Sequence, residues 1–158
     1  MKHSIGTMFG WTMLCLALSG SAFAEDARQA IVKSIQGEVG VRIGQADWKP
    51  AEVGAVMHVG DEIRTGKAST AEILLDKEGS TAQLDLKPES RMQFSTLDWN
   101  PETKENKKTI LDLAVGSVLI HAEKVHENSD FQVRTPNSIT GVRGTTFLVS
   151  AEVAQEED

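Results

Sequence analysis

The feature that most constrains this chain is its alternation. Apolar and polar residues trade places every second position in "AIVKSIQ" (30–36), "EVGVRI" (38–43), "AEILLD" (71–76), "AQLDL" (82–86) and "RMQF" (91–94). The same pattern recurs in "TILDLA" (109–114), "SVLIHAE" (117–123), "FQVRT" (131–135) and "TFLVSAE" (146–152). A period of two places alternate side chains on one face of an extended strand, whereas a helix needs a period of 3.6. No long amphipathic helix is readable after residue 30, and "EDARQA" (25–30) is at most a short helical turn or a frayed start. Glycines at 37, 44, 54, 60, 66, 79, 116, 141 and 144 punctuate the runs, which suits turns that need positive φ. Short strands about ten residues apart predict an all-β fold: one domain, either a sandwich or a solenoid-like roll.

Two segments break the rhythm. "STLDWNPETKENKKT" (95–109) is polar, contains Pro101, and is expected to form a protruding loop. Residues 153–158 form an acidic tail expected to fray. A faint internal echo pairs "EIRTG" (62–66) with "QVRTP" (132–136), and "GSTAQL" (79–84) with "GTTFLV" (144–149). The spacing differs between the two, so packed strand–turn–strand units explain the echo as well as a repeat does.

The N-terminus reads as an export signal. Lys2 supplies a positive start, Ile5 to Leu18 a mostly apolar stretch, and Ala22-Phe23-Ala24 a small-residue cleavage site. A membrane-spanning helix needs about 20 apolar residues, so residues 1–24 are expected to be cleaved. No second hydrophobic span follows, and the product is expected to be soluble and periplasmic. Cys15 lies inside the apolar stretch, so the mature chain has no cysteine for disulfides, thiolate catalysis or cysteine-bound zinc. Losing Lys2 and no acid takes the net charge from −7 to −8. That balance argues against nucleic acid or anionic lipid as partner, since both demand clustered cations.

Little in the mature chain has the spacing of chemistry. "HAEKVH" places His121 and His126 five apart, whereas the zinc-protease pattern needs four on a helix; His58 stands far off in sequence. "GDEIRTGKA" (60–68) has one residue too many for a phosphate loop, Ala68 where a metal-binding hydroxyl belongs, and two acids. "GVRG" (141–144) is similar to an RNA-clamping loop, but an acidic exported chain offers that loop no partner. No nucleophile elbow is present. No enzyme activity, metal or cofactor is therefore expected. Trp48 reads as a core or edge anchor, and Trp99, in the polar segment, as a possible partner contact.

The order of these signals resembles the FecR domain family. The resemblance runs through Gly37 and Val39, Trp48 to Pro50, Gly54, Gly60-Asp61, Ile63, Thr65-Gly66, Glu78-Gly79-Ser80 and Leu113 to Val118. It closes on Thr135-Pro136 and Val142-Arg143-Gly144-Thr145 with Phe147. It covers about residues 35–150, and a domain at 35–152 preceded by an N-terminal segment at 25–34 follows from it. The resemblance implies an envelope-side domain for sensing and protein contact. The best-known members look like membrane regulators that relay a signal from an iron–siderophore receptor to a sigma factor. This sequence shows no cytoplasmic segment, retained span or further C-terminal domain, so the domain is expected to carry over rather than the circuit. The partner implied is an envelope protein, such as a membrane receptor or regulator. A cell-wall glycan is the alternative.

Within "TPNSITGVRGTTF" (135–147), Thr135-Pro136 is expected to end a strand, because proline removes a ladder donor. Gly141 and Gly144 are expected to reverse the backbone, and Thr145 to begin a strand that enters the core. Arg143 is expected to hold the turn, bonding its carbonyls or a carboxylate such as Asp61.

Overall fold

The computed structural model of the protein describes residues 28–76, 82–100, 105–122, 130–142 and 145–152. The expected signal peptide, the acidic tail, Gly79, His126, Arg143 and Gly144 lie outside them. Every alternating run lies in a strand, two of them in the same one, and further short strands join them: β1 (Ala30–Gln36), β2 (Val39–Arg42), β3 (Lys49–Pro50), β4 (Val56–Met57), β5 (Glu62–Thr65) and β6 (Thr70–Leu75). They are followed by β7 (Ala82–Leu86), β8 (Arg91–Asn100), β9 (Glu105–Ala122), β10 (Asp130–Arg134), β11 (Ile139–Val142) and β12 (Thr145–Ala151). The described residues contain no helix.

All twelve strands belong to one sheet, and the sheet is creased. On one side of the crease the order is β4-β1-β6-β7-β9-β12; on the other it is β3-β2-β5-β8-β9-β10-β11. Strands cross from one half to the other. β1 runs on into β2 through Gly37, and β9 runs through the crease as one 18-residue strand. β5 and β6 are joined by a corner at 66–69, and β7 and β8 by a corner at 87–90. The two halves close on a shared core. Ile73, Leu75, Leu84, Leu86 and Ile120 come from one half; Ile63, Met92, Phe94, Leu111 and Phe131 come from the other. Each such side chain gains roughly 1.5–3 kcal/mol on burial. The fold is thus all-β, a single curled sheet, the roll of the two architectures the alternation allows.

The crease is built twice from the same parts. At one corner Ser69 is buried, accepts the Glu38 N–H at 2.9 Å, and donates to the Lys67 carbonyl at 2.9 Å. At the other, Ser90 is buried, accepts the Ser117 N–H at 2.8 Å, and donates to the Pro88 carbonyl at 3.2 Å. Opposite each serine a glycine takes positive φ: Gly37 at 76° and Gly116 at 90°. Before each serine a non-glycine residue adopts the left-handed conformation, Ala68 at φ 51° and Glu89 at φ 55°. Gly37 and Gly116 leave room for the serine hydroxyls as the sheet folds over.

Two expectations are corrected by the sheet. Segment 95–109 is no protruding loop. Residues 95–100 continue β8 and residues 105–109 begin β9, with Leu97 opposite Thr109, Trp99 opposite Asn106 and Asn100 opposite Glu105. Register shifts at Phe94/Thr96 and Asp98/Trp99 break the alternation, so the arm reads as irregular in sequence. Nor does the chain fray at residue 28. The Arg28 side chain is buried, and its Nη1 donates to Thr109 Oγ1 at 3.0 Å and its Nη2 to the Leu75 carbonyl at 3.1 Å. Burial pulls the guanidinium pKa down to about 10, against the pull of the Asp76 carboxylate 3.9 Å away. The sheet itself begins at Ala30, ahead of residue 35.

Candidate functional site

The motif residues are gathered at the crease and at the loops feeding it. Asp61 is buried. One carboxylate oxygen accepts the Gly44 N–H at 2.8 Å, and the other accepts the His58 N–H at 2.8 Å. It thereby ties the β2–β3 loop to the turn entering β5. Gly60, at φ 94°, turns the chain so that its own N–H reaches the Phe94 carbonyl at 2.7 Å. Thr65 Oγ1 donates to the Lys87 carbonyl at 2.6 Å and accepts the Ser90 N–H at 3.0 Å, joining the two corners. The Gly66 carbonyl accepts the Glu89 N–H at 3.1 Å, and the Gly66 N–H reaches the Glu38 carbonyl at 2.8 Å. These residues act on backbone groups, so their role is to hold the fold.

The second part of the motif is more exposed. Thr135 begins a four-residue turn between β10 and β11: its N–H donates to the Ser138 carbonyl at 2.8 Å, and its hydroxyl accepts the Ser138 N–H at 3.0 Å. Pro136 sits exposed in that turn. Gly141 does not reverse the chain; it is a strand residue of β11 opposite Gln132, with ordinary φ. Thr145 begins β12 opposite Ala122. The Arg143–Asp61 contact falls on a residue outside those described. So does the side chain of Trp99, whose backbone is paired in β8.

The outer face of β2, β5, β8, β9 and β10 carries a polar ladder. Arg42, Glu62, Gln93, Asp112 and Arg134 stand in register, one per strand. Arg42 pairs with Glu62 at one end. At the other, Arg134 forks onto Asp112, Nε to Oδ1 at 2.5 Å and Nη2 to Oδ2 at 2.6 Å, and Ser95 also donates to that carboxylate. Burial pushes the Asp112 pKa up, but the Arg134 and Ser95 hydrogen bonds and the Arg134 charge outweigh it and leave it below the ordinary carboxylate value. Asp112 in turn raises the Arg134 pKa.

Beside this ladder lies a groove of about 380 Å³, lined by Glu38, Gly40, Trp48, Lys49, Arg64 and Gly66 among others. The Trp48 ring has the Arg64 guanidinium 4.4 Å from its centroid and that of Arg42 at 5.1 Å. Such contacts contribute about 0.5–1 kcal/mol at exposed sites. Gly40 makes the arrangement possible: a Cβ there would stand 3.3 Å from Arg64 Nε and 3.5 Å from Trp48 Cε3. Trp48 is half-buried, lies outside the core cluster, and carries two guanidiniums on its ring. Sequence reasoning missed Gly40, Arg64 and Arg91. Alternation alone puts Arg64 on the face opposite Ile63 and Thr65, but its register with Arg91 needs the fold.

The histidines do not converge. His58 Nδ1 lies 3.8 Å from Asp61, while His121 Nε2 lies 3.4 Å from Asp85 in the other half of the sheet. Among the described residues no three His, Cys, Asp or Glu side chains are grouped as a metal site requires.

The sheet is creased and all-β, and its motif residues fix the corners. The family model described as FecR protein matches residues 61–158, more than half of the chain. The chain belongs to the FecR family, which makes it a signalling-related domain. No curated protein and no solved structure matches it.

Proposed function

We propose that this protein is a non-enzymatic, periplasmic FecR-like domain that binds another envelope component, a protein, in sensing or signalling. The observation that carries the reading is the family match over 61–158, which includes the Asp61, Thr65-Gly66 and Gly116 positions that build the crease. The described motif residues support it further, because their side chains are spent on backbone groups rather than converging on a reaction centre. A rigid sheet with side chains in register on its outer face suits recognition of another surface.

The test is crosslinking of the tagged, exported protein in living cells, followed by identification of what is captured. A dominant protein partner is the expected result. Recovery of cell-wall glycan alone would overturn the reading and leave a wall-associated module in its place.

A further inference from the structure

We infer that Arg64 and Arg91, with Lys49 and Trp48 beside them, form the docking site for an acidic, extended segment of the protein partner. The inference rests on the protein-binding reading above and names the chemistry of one contact.

Three observations carry it. First, Arg64 on β5 stands directly opposite Arg91 on β8. Their neighbours Ile63 and Met92 are fully buried, so both arginines project to the outer face, where both are exposed. Side chains directly opposite on adjacent strands have Cβ atoms about 5 Å apart, and like charges there repel. Second, neither arginine has a carboxylate partner among the described residues, and neither does Lys49. The chain carries 23 acids against 16 Lys and Arg, so the repulsion is left uncompensated in a protein rich in possible counter-charges. Among the described residues the other outer arginines are compensated: Arg42 by Glu62, and Arg134 by Asp112. Third, Arg64 is held in place. Trp48 stacks on its guanidinium, and Gly40 clears the strand beneath both. A guanidinium fixed before binding loses less freedom when it takes a ligand.

The chemistry of the occupant follows from the lining. Arginine presents a planar fork that matches a carboxylate with two parallel hydrogen bonds. Glu38 is the single acid lining the groove, and no ion pair ties it to Lys49 or Arg64. None of the exposed large apolar residues, Ile43, Val53, Val56, Val59, Ile139 and Leu148, lines the groove, so nothing there suits insertion into a lipid layer. A nucleic acid needs a longer cationic track and meets a chain of net charge −7. A short acidic peptide meets the local patch, since charges beyond about 8 Å are screened at physiological salt.

The experiment uses the purified chain and a fluorescein-labelled octapeptide of alternating Gly and Glu, read by anisotropy. Saturable binding that weakens with added salt is expected. The R64Q/R91Q variant is expected to bind about tenfold more weakly or worse, with a melting temperature close to that of the wild type, because relief of the Arg64–Arg91 repulsion offsets the lost Trp48 contact. R134Q, which removes an arginine engaged with Asp112, is expected to bind the peptide as the wild type does. Absence of saturable binding would overturn the inference. So would equal binding by R64Q/R91Q, equal binding of a Gly-Lys octapeptide, or preferential binding to phosphatidylglycerol vesicles. Capture of a protein partner in cells that is undiminished by R64Q/R91Q overturns this docking site alone. Peptide binding that depends on both arginines supports the site even where no protein is captured, a result that overturns only the proposed function.

Discussion

A Cβ built on Gly116 would stand 2.1 Å from Ser90 Oγ and 2.5 Å from its Cα. Gly116 also holds φ at 90°, a conformation that L side chains rarely adopt. The fold of the sheet over itself is concentrated at this pair, where β9 passes from one half to the other. Gly116→Ala is therefore expected to destabilise by about 3 kcal/mol or more, from steric overlap and backbone strain together. In thermal denaturation this is a drop of about 10 °C or more. Gly141→Ala is the matched control, because ordinary φ and open space surround that glycine. Equal melts for the two variants would show that the crease does not bear the strain.

The same corner offers a stabilising change. Glu89 sits at φ 55°, one residue before Ser90, and its exposed side chain has no hydrogen-bond or ion-pair partner among the described residues. A left-handed conformation costs an ordinary residue roughly 1–2 kcal/mol relative to glycine. Glycine also gains freedom in the unfolded chain, which offsets part of this. Glu89→Gly is expected to stabilise by up to about 1 kcal/mol, seen as a higher midpoint in urea. A lower midpoint would mean that the Glu89 side chain contributes more than its backbone costs.

How much of this was readable beforehand depends on where the alternation holds. Strands β6, β7 and β10 alternate cleanly, and their buried positions follow from the pattern alone. Along β9 the inward set is Thr109, Leu111 and Leu113 before the crease, but Val118, Ile120 and Ala122 after it. The phase slips by one residue at Gly116, so the sequence resembles two strands where one exists. A second slip at Ser95 made the start of the β8–β9 arm look like a loop. The echo in the letters and the repeat in the structure also fall at different places. "EIRTG" and "QVRTP" share letters, whereas the repeated structure is a serine corner packed on a glycine, at Ser69 with Gly37 and at Ser90 with Gly116. Neither pair has a distinctive local sequence. The Arg64–Arg91 pairing was equally hidden, because 26 intervening residues separate positions that only strand register brings together.

Asp61 was legible as a motif residue, and the structure gives its work. Its two oxygens satisfy the Gly44 and His58 N–H groups from a buried position. Asp61→Ala leaves both donors without that acceptor. A hydrogen bond to a charged group contributes about 1.5–3 kcal/mol, so the expected loss is about 2–4 kcal/mol in chemical denaturation. Asp61→Asn keeps one carbonyl acceptor and is expected to lie between wild type and alanine. A variant indistinguishable from wild type would mean that water replaces the carboxylate at no cost.

Asp112 predicts the acid limb of stability. Its pKa is lower in the folded protein than its ordinary value, so the folded state binds its proton more weakly than the unfolded chain does. The stabilisation is present above about pH 4 and is lost as pH falls through the folded value. Asp112→Asn is expected to melt below wild type at pH 7, with the gap closing below about pH 4. A gap that persists at pH 2 would assign the effect to packing of the β9–β10 pair rather than to charge. Arg134→Lys keeps the charge but loses the fork onto both oxygens, and is expected to shrink the same pH-dependent gap only in part.

Arg91→Glu separates folding from recognition at one residue. It places a carboxylate opposite Arg64, converting a repelling cross-strand pair into an attracting one. Such pairs contribute roughly 0.2–1 kcal/mol, and exposure puts this one at the lower end. The variant is expected to melt at or slightly above the wild-type temperature. It is also expected to lose binding of the Gly-Glu octapeptide, since the new carboxylate occupies Arg64 and repels the incoming acid. A stabilised variant that no longer binds means that the wild-type sequence gives up stability to keep two arginines free. A destabilised variant would instead mean that Arg91 serves the sheet through contacts of its own, and the unpaired charges would lose their functional meaning.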